Sequence, residues 1–108
     1  MNGEGTLKIN DPPEIIKGNW VNGKLQGIGR RQLINEQELY EGEWVDGKLN
    51  GKGKLTSKNE WYEGFFKNNL EHGKGLKVYT NGNKYRGMWS EGLPDGHGVF
   101  TWGDGGEY

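Results

Sequence analysis

Few side chains in this 108-residue sequence have the type and spacing that chemistry requires. The two histidines, His72 and His97, have no second His, carboxylate cluster or activated Ser in phase with them, as a metal site or a triad needs. Cysteine is absent, which excludes disulfides, thiolate metal ligands and cysteine nucleophiles together. Glu41 and Glu43 imitate a catalytic carboxylate pair, but they share one strand face, whereas a glycosidase acid and base flank a pocket. The recurring Gly-x-Gly elements lack the following helix that makes a phosphate cradle. No catalytic residue, cofactor or metal ion is expected.

The remaining chemistry is that of binding. Arg30-Arg31, with Lys8, Lys17 and Lys24, forms the most basic local set and is the candidate contact for anionic lipid. It falls short of the 4–8 adjacent cations that mark a lipid-binding surface. The formal net charge of −1 offers no attraction to nucleic acid, whose phosphates dominate such binding. Trp20, Trp44, Phe66 and Trp89, with Tyr40, Tyr62 and Tyr85, form an aromatic series at regular spacing. Its first duty is to hold the fold together, and any exposure left over would serve as anchorage for a partner.

What positions these rings is a repeat. Tyr40-Glu41-Gly42-Glu43-Trp44 returns as Tyr62-Glu63-Gly64-Phe65-Phe66 and as Tyr85-Arg86-Gly87-Met88-Trp89, with a weaker copy at Ile16-Lys17-Gly18-Asn19-Trp20. The leading positions 16, 40, 62, 85 and 108 are separated by 24, 22, 23 and 23 residues. A second element follows in constant phase: Gly27-Ile28-Gly29, Gly51-Lys52-Gly53, Gly73-Lys74-Gly75 and Gly96-His97-Gly98. The chain therefore divides into a partial repeat at 1–15, repeats at 16–39, 40–61, 62–84 and 85–107, and the start of another at Tyr108. The array is expected to be part of a longer chain or assembly.

Each unit reads as a β-hairpin. Leu, Ile, Val and Phe total only 21 residues and Gly another 21, a balance that favours short strands and tight turns over a thick core. Alternation puts Tyr40, Gly42 and Trp44 on one face and Glu41, Glu43 and Val45 on the other. A four-residue link, Gly47–Asn50, predicts Trp44 opposite Gly53 and Glu43 opposite Lys54. Glycine facing tryptophan leaves open backbone on which an indole lies flat. Asp11-Pro12-Pro13-Glu14 cannot supply all the amide hydrogens of a central strand, so the first repeat is expected to be irregular. Stacked hairpins give an all-β, single-layer, elongated antiparallel sheet, about 23 residues per repeat, whose curl forms a trough.

Tyr-Glu-Gly-Glu-Trp-x-x-Gly-Lys-x-x-Gly-x-Gly, as written at Tyr40 to Gly53, resembles the MORN (membrane occupation and recognition nexus) repeat, and the resemblance covers nearly the whole chain. It implies a non-catalytic array in a curved sheet that scaffolds cytoskeletal, ciliary or membrane-contact structures, and in some relatives dimerises. On that footing the expected partner is a protein helix or extended segment, held in a groove by Tyr40, Trp44, Tyr62, Phe66, Tyr85 and Trp89. The expected setting is the cytoplasm, at cytoskeletal or ciliary structures or the cytosolic face of a membrane. Open strand edges add the expectation of end-to-end association. Two alternatives stay open: attachment to phosphoinositide or other anionic lipid through Arg30 and Arg31, and a regulatory module of an enzyme fused outside this sequence.

Overall fold

The computed structural model describes residues 3–103, and every regular element in it is a strand. These are β1 (Gly3–Asn10), β2 (Pro13–Val21), β3 (Lys24–Leu33), β4 (Glu38–Val45), β5 (Lys48–Thr56), β6 (Trp61–Lys67), β7 (Leu70–Val78), β8 (Lys84–Ser90) and β9 (Leu93–Thr101). They form one antiparallel sheet in which spatial order is chain order. The Cα extents are 48 × 25 × 17 Å. The longest dimension exceeds the ~33 Å that a ten-residue strand spans, so the strands stack along it. The single-layer all-β hairpin array is what the repeat implies. The start of a further repeat expected at Tyr108 lies outside the described residues.

The hairpin register differs from the expected one. The link is two residues long, Asp46-Gly47, with φ of 51° and 81°. Positive φ at both central residues is the type I′ geometry that matches the twist of paired strands. Asn22-Gly23, Asn68-Asn69 and Glu91-Gly92 repeat it. Tyr40 then faces Leu55, Glu41 faces Lys54 and Gly42 faces Gly53, after which the register slips and Trp44 faces Leu49. So Glu41, not Glu43, opposes Lys54, and Leu49, not Gly53, opposes Trp44. The slip is a β-bulge that takes up the extra residues of β5. There the Glu43 carboxylate accepts the Lys52 N–H at 2.9 Å.

The prolines expected to make the first repeat irregular leave its strand pairing intact, although the Asp11-Pro12 peptide is cis. β1 pairs with β2 without interruption from Gly3↔Trp20 to Asn10↔Pro13. Pro12 sits in the turn and Pro13 opens β2, where no ladder hydrogen is demanded of it.

One register feature organises the whole sheet. Gly5, Gly18, Gly29, Gly42, Gly53, Gly64, Gly75, Gly87 and Gly98 are paired in succession, so one glycine from every strand stands in a single column. A Cβ at Gly42 would lie 2.5 Å from the Gly53 Cα, and one at Gly64 would lie 2.5 Å from the Gly75 Cα. The column is the line along which the strands of each hairpin approach too closely for any side chain.

Large side chains cover this column on one face. Leu25 lies over Gly18 and Gly29, and Leu49 over Gly42 and Gly53. In the next two hairpins the leucine position holds Glu71 and Pro94, and there the rings of Tyr62 and Tyr85 cover the glycine pairs instead. The hairpin tips are linked as well. The N–H groups of Gly47, Asn69 and Gly92 donate to the carbonyls of Leu25, Leu49 and Glu71 in the preceding hairpin, at 2.9, 3.0 and 3.0 Å. A single layer thereby encloses a core of its own.

Candidate interaction surface

Tyr40, Trp44, Tyr62, Phe66, Tyr85 and Trp89 do share one face, as the alternation requires. Little exposure is left over for anchorage at five of them: Trp44 is 2%, Tyr62 1%, Phe66 3%, Tyr85 9% and Trp89 3% exposed. Tyr40 alone of the six is half-buried. Glycine does face tryptophan, but across repeats rather than within a hairpin: Gly27 opposes Trp44, Gly51 opposes Phe66 and Gly73 opposes Trp89. Over that open backbone the indole reaches the preceding hairpin. Trp20, Trp44 and Trp89 donate Nε1–H to the carbonyls of Gly5, Gly29 and Gly75 at 3.1, 2.8 and 3.2 Å.

The rings also meet one another edge to face. Centroid distances are 5.0 Å for Tyr62–Phe66, 5.2 Å for Tyr62–Trp89 and 5.3 Å for Tyr85–Trp89, the arrangement the ring quadrupole favours. The Tyr62 hydroxyl donates to the Phe65 carbonyl at 2.8 Å. Burial, reinforced by the charge of Glu71, pushes its pKa up to about 12. Tyr40 is raised too, chiefly by burial and then by Glu38. These residues are the spine of the sheet.

The opposite face is where apolar surface meets solvent. Val21, Ile28, Val45, Phe65, Leu70, Met88, Leu93 and Val99 are all exposed there, on the strand positions that alternate with the buried set. Beside the glycine column no side chain projects, so two rows of side chains border an open lane that crosses the strands. Towards the C-terminal end the lane is a groove of about 830 Å³, floored by Gly64, Gly75, Gly87 and Gly98 and walled by Leu76, Met88 and Val99 with Glu63, Lys74 and Arg86. A further stretch of about 380 Å³ follows the same column at Gly18, Gly29 and Gly42, between Lys17, Ile28, Arg30 and Glu41. The sequence did carry a sign of this surface. The second variable residue of the Tyr-x-Gly-x-Trp element is Phe65 in one repeat and Met88 in another, both outward by alternation.

Arg30 and Arg31 are adjacent in sequence and opposite in space. Arg30 pairs with Lys17 and Glu41 along the lane, whereas Arg31 lies between Ile16 and Tyr40 on the aromatic face. Arg31 Nε is 2.7 Å from Glu14 Oε1, and Glu14 is buried. The two arginines therefore do not form one patch. Lys54 lies between Glu41 and Glu63 and places its ammonium 5.1 Å from the Trp61 ring centre, and that of Lys52 lies 5.9 Å from the Phe65 ring centre. His97 borders the lane groove. Among the described residues no three His, Asp or Glu gather to hold a metal ion, and no helix is long and apolar enough to cross a membrane.

The arrangement offers a stiff surface with a partly apolar groove bordered by charges of both signs. No curated protein sequence matches the chain. The MORN repeat, a non-catalytic repeat type generally associated with protein or membrane interaction, matches at residues 17–35, 40–60, 62–84 and 85–107. Each match contains one of the four two-residue I′ turns just described. The chain thus belongs to the MORN repeat family.

Proposed function

We propose that this array is a non-catalytic scaffold that binds a partner protein along the glycine lane. The observation that carries this reading is the division of labour between the two faces. The aromatic face spends its surface on the sheet's own packing, and the lane face presents Ile28, Phe65, Met88 and Val99 to solvent beside an open groove. A partner lying along several hairpins at once raises its own effective concentration at each, so weak contacts sum to durable attachment. The splitting of Arg30 from Arg31 gives the lipid alternative no comparable support.

The test is recovery of the partner from the native cells with the double variant Met88→Glu, Val99→Glu. Both residues are exposed, so the thermal melt should be unchanged while stoichiometric recovery falls about tenfold, the equivalent of ~1.4 kcal/mol. Full recovery by a folded double variant overturns the proposal.

A further inference from the structure

We infer that the pocket between Glu60, Tyr79 and Phe100 takes an alkylated ammonium group, the chemistry shared by a methylated lysine side chain and choline. The pocket is on the aromatic face, where Tyr79 and Phe100 pack against the edge of the buried cluster. It lies at the strand ends away from the hairpin tips and is independent of the lane. Its volume is about 480 Å³, and Thr80, Asn81 and Asn83 complete its lining.

The repeat itself marks this place as one that calls for a cation. Glu14 and Glu60 are equivalent, two residues before Ile16 and Tyr62 respectively. Arg31 and Lys77 are equivalent too, as the cross-strand partners of those same two residues. In the first hairpin Arg31 Nε closes on the Glu14 carboxylate at 2.7 Å. In the third hairpin the matching contact is not made. The Lys77 ammonium is held by rings instead, 5.3 Å from the Tyr79 centre and 5.9 Å from the Trp89 centre. Glu60 makes no ion pair among the described residues. The positive charge that Glu14 receives from its own chain must reach Glu60 from a ligand.

The rings suit such a ligand. Tyr79 and Phe100 are half-buried, with centroids 6.3 Å apart and planes 40° from parallel, so they splay instead of stacking. Trp102 meets Phe100 edge to face at 4.8 Å and fixes its plane. Aromatic faces attract cations, and more strongly where water is excluded. Burial and, after it, the charge of Glu60 raise the Tyr79 pKa, which places that hydroxyl in the field of the carboxylate.

The hydrogen-bond acceptors decide which cation. Glu60 Oε2 already accepts from the Thr80 N–H at 3.4 Å and the Thr80 hydroxyl at 3.1 Å. The side-chain oxygens of Asn81 and Asn83 accept the N–H groups of Asn83 and Gly103 at 3.0 and 2.7 Å. A guanidinium has five donors to satisfy and a primary ammonium three. A trimethylammonium has none, and needs only negative charge and ring faces.

The experiment titrates the isotope-labelled chain with four small probes and follows amide chemical shifts. They are choline, N-acetyl-trimethyllysine amide, its unmethylated counterpart, and the uncharged analogue of choline with tert-butyl in place of trimethylammonium. Both methylated cations should move the amides of Glu60, Tyr79 and Asn83, and the tighter of the two identifies the source of the group. The unmethylated and uncharged probes should bind about tenfold more weakly or less. Glu60→Gln keeps an acceptor for Thr80, so it should leave the thermal melt unchanged while weakening choline about tenfold. Lys77→Leu, which installs the residue of the equivalent Leu55, removes a neighbouring positive charge and should tighten binding. Equal binding of the uncharged or the unmethylated probe overturns the inference. So does full affinity in folded Glu60→Gln, or a titration that leaves these three amides unmoved.

Discussion

Trp44 donates its indole N–H to the Gly29 carbonyl at 2.8 Å, across the boundary between two hairpins. The same bond ties Trp20 to Gly5 and Trp89 to Gly75, so tryptophan is the residue by which each hairpin grips its predecessor. Phe66 occupies the equivalent place without an N–H, which shows that the site holds a phenyl ring. Trp44→Phe should accordingly cost about 1 kcal/mol, the worth of one hydrogen bond. Trp44→Ala removes the buried ring as well and should cost about 3–5 kcal/mol. Urea denaturation of both variants checks the pair, and equal losses would contradict the assignment.

The glycines divide by mechanism. At Gly64 an added Cβ meets the Gly75 Cα at 2.5 Å, and backbone cannot step aside. Gly64→Ala should cost about 3 kcal/mol, at the upper end for overpacking. At Gly47 nothing lies within 4 Å of an added Cβ, and the φ of 81° is the whole difficulty. Gly47→Ala should cost about 1 kcal/mol, the penalty of a left-handed conformation for an L residue. Melting temperatures of the two variants in parallel would show the difference in size.

Tyr62 predicts a loss of stability at alkaline pH. Its folded pKa of about 12 stands above the ordinary tyrosine value of 10.0, so the folded state holds the phenolic proton more tightly than the unfolded chain does. The stability linked to it is fully present below pH ~10 and is lost as pH rises towards ~12. Tyr62→Phe abolishes that titration. Thermal melts between these limits should fall less steeply with pH in the variant than in the parent chain, and identical slopes would refute the linkage.

Arg30 and Arg31 should behave as strangers. Arg31→Ala leaves the buried Glu14 carboxylate without its cation and should cost about 1 kcal/mol of stability. Arg30→Ala, at an exposed lane position, should leave stability within ~0.5 kcal/mol and weaken partner binding. Denaturation and binding measured on both single variants separate the two roles. A common effect on binding to anionic vesicles would revive the view of them as one patch.

Strand identity, repeat length and the stacking of hairpins were all legible in the 22–24-residue spacing of the aromatic and glycine elements. Register was not, because counting inward from an assumed loop takes no account of a bulge. Asp46-Gly47 is itself the strongest short-range hairpin signal; starting from it gives a two-residue turn and forces the extra residues of β5 into the bulge. The depth of burial was hidden for a different reason. Alternation assigns Trp44 and Leu49 to one face but says nothing of the tip-to-tip bonds, such as Gly47 to Leu25, that close the hairpin ends over that face. Glu71 is the clearest case of a departure with a compensation elsewhere. Where the leucine of earlier repeats is lost, Tyr62 moves onto the glycines and becomes almost completely buried, whereas Tyr40, beside Leu49, does not.

Spatial order that equals chain order has a mechanical consequence. Tension applied to β1 and β9 acts along the 48 Å axis, at right angles to the strands and parallel to the interstrand hydrogen bonds. Those bonds are loaded one after another, as in opening a zip, instead of sharing the load as they do when strands are sheared lengthwise. The array should yield at low force and hairpin by hairpin, each step releasing about 23 residues of slack. Placed between two anchored structures, such a chain is an extensible fuse: it lengthens in countable increments and re-forms when the pull is relaxed.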